Sequence, residues 1–205
     1  MKDSFEQNII EAYNNKAIER NSSNLQDWKA KEREFFGDNI KKEKFSSLLE
    51  IGAGTGKDSL YFKEQGLNTF STDISPEMVK LCKEKGVNAK VMNFSNLDFP
   101  DNHFDSIWAL NCLLHVSKED IKSVLNEIKR VLKPSGLFYM GVYGGENYEG
   151  IWEEDSYIPK RFFSFYEDES IKQLLSEFFS IRYFNVVSKD IVGGNFHFQS
   201  IILRK

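Results

Sequence analysis

An apolar run reaches the acid Glu50, and three glycines follow at every second position: Gly52, Gly54 and Gly56. A helix-like stretch, 58–65, comes next. A strand that breaks into a glycine turn, and a turn that opens a helix, leave backbone amides facing outward. Such a turn binds a molecule with a nucleoside and an anionic or polar tail. Two phosphate-binding readings fail on spacing. A P-loop needs Ser or Thr after its Gly-Lys pair, but Asp58 follows Gly56 and Lys57, and its first glycine would fall on Glu50 or Ile51. A dinucleotide turn, counted from Gly52, wants its third glycine at position 57, which is lysine, and fails unless the spacing is relaxed.

The elements that hold this turn alternate from residue 46 onward. Strands are expected at 47–51, 68–73, 88–93, 104–111 and 137–143, with helices at 57–65, 77–85 and 119–133 between them. Pro76 suits a helix start, Gly66 and Gly86 suit helix ends, and Ser117 suits a cap. Apolar strands joined through helices imply a parallel sheet covered on both faces, with right-handed crossovers. The tail breaks the pattern. An irregular stretch, 144–165, precedes a helix at 167–178 and two strands, 181–188 and 196–204, joined at hairpin spacing and so antiparallel. Before the sheet, Phe5, Ile9, Ile10, Tyr13 and Ala17 share one helix face. Residues 21–24 break that helix, and a second, from 25 to about 36, is expected to stop at Gly37.

One domain of 205 residues is long enough to bury a sizeable core. A net charge of −4 weighs against a nucleic-acid partner, since no basic surface exists on average. The two cysteines, Cys82 and Cys112, lack metal-ligand spacing, so no metal is expected and both read as reduced core residues. The N-terminus has no apolar segment of a signal peptide, and no run is long enough to span a membrane. The default expectation is the cytoplasm, as a monomer or homodimer.

With five landmarks in order, the chain resembles the class I S-adenosylmethionine-dependent methyltransferases, of the small-molecule type. The landmarks are Glu50-x-Gly52-x-Gly54-x-Gly56; Asp73 with Ile74-Ser75-Pro76-Glu77-Met78; Leu97-Asp98-Phe99-Pro100; Phe104-Asp105-Ser106-Ile107; and Leu132-Lys133-Pro134-Ser135-Gly136. The resemblance covers about 46–145 by motif and extends to 205 by architecture. It implies a Rossmann-like α/β fold: seven strands in the order 3-2-1-4-5-7-6, the last antiparallel, with helices on both faces and a helical lid, 1–45. The segment 46–145 would bind cofactor, and 146–205 would form a substrate-side insert and hairpin.

The resemblance also implies S-adenosylmethionine as cofactor and S-adenosylhomocysteine as product. Gly52, Ala53, Gly54 and Gly56 would let the backbone approach the methionine and ribose. Glu50 would sit near the ammonium, Asp73 would accept both ribose hydroxyls, and Ile74 and Met78 would lie beside adenine. Relatives carry an acid at the end of strand three, where an acceptor meets the adenine amino group. This chain has Asn93, whose side-chain oxygen can accept, and Phe94 can offer a backbone N–H and cover the ring. Asn111 is expected on the cofactor side as well. In relatives with such an extension a tyrosine near Tyr13 closes over the methionine end.

The reaction would be an in-line displacement on a small-molecule nitrogen or oxygen, with alignment as the main source of rate. The Asn/Asp-Pro-Pro-Tyr motif of amide- and base-amino-methylating relatives is absent after strand four, and neither cysteine follows a proline as cytosine C5 chemistry would want. His115 is a candidate general base and Tyr143 a second candidate at the reacting end. The stretch 144–165 should wall the acceptor site with Glu146, Tyr148, Trp152, Glu153, Glu154, Asp155, Tyr157 and Arg161, a mixture suited to an amine or heteroaromatic ring. Tyr13, His115, Tyr143, Trp152, Tyr157 and Arg161 form the expected substrate set. His197 reads as an outward sheet residue or a pocket edge. The alternatives are a tRNA-modifying methyltransferase and a cofactor-binding relative without transfer activity.

Overall fold

The computed structural model describes residues 2–205, with side chains from Phe5 onward. Two helices come first, α1 (Lys2–Ser22) and α2 (Asp27–Glu43). The alternating core follows as β1 (Ser47–Ile51), α3 (Lys57–Glu64), β2 (Asn68–Asp73), α4 (Pro76–Glu84), β3 (Ala89–Val91), β4 (Phe104–Leu110), α5 (Ile121–Val131) and β5 (Leu132–Gly144). The tail contains β6 (Tyr148–Ile151), β7 (Phe162–Phe165), α6 (Asp168–Ser176), β8 (Ser180–Val187), α7 (Lys189–Val192) and β9 (His197–Arg204).

Seven strands form one sheet in the order β3-β2-β1-β4-β5-β9-β8. The first five are mutually parallel, and β9 runs antiparallel to both β5 and β8. This is the Rossmann-like arrangement expected from the sequence, with β8 and β9 as its sixth and seventh strands. Among the described residues, no helix is long and apolar enough to cross a membrane.

The sheet is apolar on both faces because alternate residues feed two cores. Leu49, Ile51, Ile107, Phe138 and Met140 meet α5 and α6, whose inward stripes include Val124, Leu125, Ile128, Ile171 and Leu175. Leu48, Trp108 and Tyr139 meet Phe36, Ile40 and Phe62 from α2 and α3. Trp108 stacks on Tyr139 at 4.0 Å between centroids and donates its indole N–H to Asp58 at 3.1 Å. Burying two large aromatic rings this way adds ring-pairing energy to burial.

Three local expectations change. The second helix does not stop at Gly37 but runs to Glu43 and ends at Lys44, in the left-handed region at φ 59. Gly37 sits in the middle of the helix, where a Cβ would find ordinary contacts with Phe62 and Tyr61. The strand expected at 137–143 extends back to Leu132, with a register shift against β4 that absorbs Pro134 and Gly136. The stretch expected to be irregular, 144–165, holds the antiparallel pair β6–β7, and the joint between β8 and β9 holds a short helix.

Gly37 yields a direct test. A Cβ there would lie 3.8 Å from Phe62, an ordinary contact. Gly37→Ala should therefore stabilise the protein by about 0.5–1 kcal/mol, by lowering the entropy of the unfolded chain. Thermal unfolding should shift upward by about 2–4 °C per kcal/mol. An unchanged or lower midpoint would show that α2 needs the missing side chain.

Candidate active site

The site grows from the end of β1. Gly52, Gly54 and Gly56 all adopt positive φ (66°, 53° and 77°), which turns the chain sharply from strand into α3. Asp73, at the end of β2, fixes this turn. Its two oxygens accept from the Gly54 N–H at 2.7 Å and the Ser75 N–H at 2.9 Å. Burial pushes its carboxyl up to about 6, against the opposing pull of those two N–H groups and the Arg20 charge. Glu50 is buried one strand away and accepts from the Ser59 hydroxyl, which pairs with Ser71 at 2.6 Å. Burial, reinforced by the Asp58 charge, drives its carboxyl well above the usual range.

Two adjoining cavities open above the turn. The smaller, about 330 Å³, is framed by Arg20, Lys29, Glu50, Ala53 and Asn111. The larger, about 670 Å³, runs from Gly54 past Asp73 and Ile74 to Asn93 and Phe94, under a roof of Phe5, Ile9 and Tyr13. Both share Arg20, Gly52, Gly54, Leu110 and Asn111, so they form one trough across the glycine turn.

The charges of the smaller cavity suit a zwitterion. Arg20 and Lys29 supply cations, and Glu50 supplies a carboxyl whose ionised form an incoming ammonium would favour. The buried Asn111 Oδ1 has no hydrogen-bond partner and can accept from an ammonium. Burial and the Arg20 charge bring the Lys29 ammonium down to about 8, and among the described residues it has no hydrogen-bond or ion-pair partner. In the larger cavity a carboxylate at Asp73 precedes the apolar Ile74, Met92 and Phe94, which suits a diol followed by a flat base. S-adenosylmethionine has these parts in this order, so the residues present fit it.

The helical roof is tied down at its C-terminal end and at its middle. Lys57 donates to the carbonyls of Arg20, at 2.8 Å, and of Ser23, and Lys85 donates to Asn21 and to the Thr55 carbonyl. Lys57 thereby caps the end of α1, where its carbonyls lack helical partners, and Lys85 holds the Asn21 side chain beside it. Nearer the middle, Asn14 accepts from the Ser75 hydroxyl at 2.6 Å, and Asn15 donates to the Ile158 carbonyl at 3.0 Å.

Tyr13, His115, Arg161 and Tyr157 meet beneath α1. The His115 Nδ1–H donates to the Phe162 carbonyl at 2.7 Å, so Nε2 must accept from the Tyr13 hydroxyl, also at 2.7 Å. Arg161 donates to the same hydroxyl at 3.0 Å and is held from behind by both oxygens of Asp155. Its guanidinium lies 3.5 Å from the Tyr157 ring centre, and Arg20 donates to the Tyr157 hydroxyl at 3.0 Å. Burial lowers His115 to about 3, with the Arg161 and Arg20 charges adding to the effect. His115 is thus a neutral imidazole with both nitrogens engaged, and it would reach an acceptor proton through the Tyr13 hydroxyl rather than directly.

Other expected site residues lie elsewhere. Met78 is sealed in the core below Ile74, and Gly56 packs over Cys82. Tyr143 packs between Trp28 and Phe198 and borders neither cavity. Trp152 belongs to a cluster with Tyr148, Phe165 and Phe196. The acids expected to wall the site do not gather there: Glu146, Glu153 and Glu154 are exposed, and Asp155 is spent on Arg161, while another insert acid, Glu149, lines the larger cavity. His197 pairs with Asp168 at 2.8 Å, and that pair borders neither cavity. The sequence reading missed Arg20 and Lys29. Arg20 follows Tyr13 by two helical turns, the one pattern that could have flagged it.

Comparison with known proteins agrees with this geometry. Residues 49–140 match the methyltransferase domain family. The chain is 28% identical over 154 residues to the phosphoethanolamine N-methyltransferase of Plasmodium falciparum, covering 71% of this chain and 56% of that protein. It is 34% identical over 94 residues to the demethylmenaquinone methyltransferase of Tropheryma whipplei, covering 43% and 38%. The chain thus spans about half the length, or less, of these two relatives. Among solved structures, a 1,6-didemethyltoxoflavin-N1-methyltransferase from Burkholderia thailandensis superposes with a TM-score of 0.66 at 24% identity, over 81% of this chain and 74% of that one. A methyltransferase from Methanosarcina mazei superposes with a TM-score of 0.70 at 23% identity, over 78% and 92%. Glycine turn, strand order and matched domain agree: residues 49–140 carry a methyltransferase domain, set in the class I Rossmann-like fold.

Proposed function

We propose that this protein transfers a methyl group from S-adenosylmethionine to a nitrogen of a small amine or heteroaromatic acceptor. The observation that carries the reading is the placement of Asn111. It follows β4 at φ 57, lines both cavities beside Gly52 and Gly54, and carries a buried side-chain oxygen with no hydrogen-bond partner. The cofactor supplies an electrophilic methyl on a sulfonium with its leaving group built in. The protein then has to align the acceptor and exclude water. Asn111 Oδ1 can accept a hydrogen bond from an acceptor N–H or from the cofactor ammonium. The Tyr13 hydroxyl donates to His115 and accepts from Arg161, and one lone pair remains for an acceptor proton. A neutral nitrogen attacks through its own lone pair and loses its proton afterwards. A hydroxyl acceptor asks for a stronger base than an imidazole held near 3. Two of the relatives above are themselves named N-methyltransferases, which supports the same choice.

Turnover to S-adenosylhomocysteine against a panel of amines, heteroaromatics, phenols and carboxylates tests this. The expected result is activity with nitrogen acceptors and none when Asp73 is replaced. Tight cofactor binding with no turnover on any member would favour a binding protein without transfer activity.

The cation pair gives a separate expectation. Lys29→Met should weaken S-adenosylhomocysteine binding about tenfold, as loss of one charge-assisted hydrogen bond does. Binding of decarboxylated S-adenosylhomocysteine should be unaffected. Because burial holds Lys29 near 8 in the free protein, wild-type affinity should also fall as pH rises past that value. Equal weakening of both ligands in calorimetry would assign Lys29 to packing against Trp28 instead.

A further inference from the structure

Asn93 stands where relatives carry an acid, and its amide is already committed. Its Oδ1 accepts from the Ser95 N–H at 2.9 Å and from the Ser95 hydroxyl at 2.9 Å. A backbone N–H is an obligate donor, so the atom facing it must be the oxygen. The amide nitrogen therefore points the other way and donates to Glu6 Oε2 at 2.8 Å. This overturns the expectation that Asn93 itself accepts from the adenine amino group. What it presents toward the cavity is a donor, the wrong partner for an amino group.

Glu6 supplies what Asn93 lacks. It lies in the first part of α1 and lines the larger cavity together with Asn93 and Phe94. Its carboxylate has two accepting oxygens, and Asn93 orients one of them. Asp73 fixes where a ribose sits, and the base beyond it must run over Ile74 toward this corner. We propose that Glu6, carried in by α1 and oriented by Asn93, accepts the hydrogen bond of the cofactor's adenine amino group. This rests on the cofactor reading above and adds a consequence. The roof helix makes a base-specific contact, so its closure depends on which base occupies the site.

Calorimetric titration of the full chain with S-adenosylhomocysteine and with its deaminated analogue, S-inosylhomocysteine, tests this. The analogue replaces the amino group with a carbonyl oxygen, which a carboxylate repels. Wild type should prefer the adenine ligand by about tenfold or more. Glu6→Ala should lose that factor for the adenine ligand alone and bind the inosine ligand at least as well as wild type. Glu6→Ala combined with Asn93→Asp should regain the preference, because an aspartate can keep the Ser95 N–H on one oxygen and offer the other to the amino group. Glu119→Gln, on the same cavity, should change nothing. Amide exchange provides a second readout: the adenine ligand should protect α1 in wild type, and the inosine ligand should not.

Equal weakening of both ligands by Glu6→Ala would overturn the proposal, as would a preference that Asn93→Asp fails to restore. No binding of S-adenosylhomocysteine to wild type would instead overturn the cofactor reading itself. Glu6 is exposed, so the variants should fold as wild type does.

Discussion

Gly52→Ala is expected to destabilise the protein by about 2–5 kcal/mol and to weaken S-adenosylhomocysteine binding at least a hundredfold. Two causes add. The residue sits at φ 66, where a side chain costs about 1–2 kcal/mol. A Cβ there would also lie 2.2 Å from the Cβ of Cys112 and 2.9 Å from its sulfur, closer than atoms pack. Cys112 cannot easily yield. It is buried, its thiol donates to the Ile51 carbonyl at 3.2 Å, and it follows Asn111, itself held at positive φ. The loss is a large share of a typical total stability of about 5–15 kcal/mol. It should appear in thermal unfolding and in calorimetry alike. A double-mutant cycle isolates the steric part: Gly52→Ala should cost about 1–3 kcal/mol less when Cys112 is glycine. An equal cost in both backgrounds would leave backbone strain as the whole effect.

That contact explains why the glycine turn was legible in the sequence while much around it was not. A turn that needs positive φ three times admits almost nothing but glycine, so local chemistry alone writes Gly52, Gly54 and Gly56. Asp73 was legible for a related reason, since a strand end beside that turn is where a carboxylate can hold a loop N–H. The parallel sheet followed from strand–helix alternation, a pattern spread over many residues. Gly37 misled because a glycine that ends a helix and one that a helix carries in its middle look alike in sequence. Arg20, Lys29 and Glu6 carry no local signature. They are ordinary charged residues on two polar helices, and only the docking of α1 and α2 against the sheet brings them to the cavities. His115 was found, but its pairing was not, because its partners, Tyr13 and the Phe162 carbonyl, are 102 and 47 residues away in the chain. The acidic insert misled likewise: Glu146, Glu153 and Glu154 face water, Asp155 serves Arg161, and the acid that lines the larger cavity, Glu149, was not among those expected.

Asp73→Asn should weaken S-adenosylhomocysteine binding by about 10²–10⁴-fold, although it changes only one atom. Both Asp73 oxygens accept from backbone N–H groups, so an amide would set its own NH₂ against Gly54 or Ser75. It also loses the charge that strengthens two hydrogen bonds from a ribose diol, each about 1.5–3 kcal/mol. The wild-type carboxyl makes a pH signature with opposite signs. Its folded pKa of about 6 lies above the ordinary 3.8, so between those values the free folded protein holds more protons than the unfolded chain. This group therefore adds stability to the free protein as pH falls through that window, by up to about 3 kcal/mol. Ribose hydroxyls donate to the ionised form, so cofactor affinity should fall over the same window. Glu50, also raised by burial, contributes in the same direction at the ammonium end. The Asp73 share is accordingly the difference between wild type and Asp73→Asn, measured by calorimetry for binding and by denaturant unfolding for stability. If that difference stays flat from about pH 7 to pH 4 in both experiments, Asp73 does not titrate in the site. Its part would then be to hold the glycine turn in shape, and the loss of binding in Asp73→Asn would come from the displaced Gly54 amide.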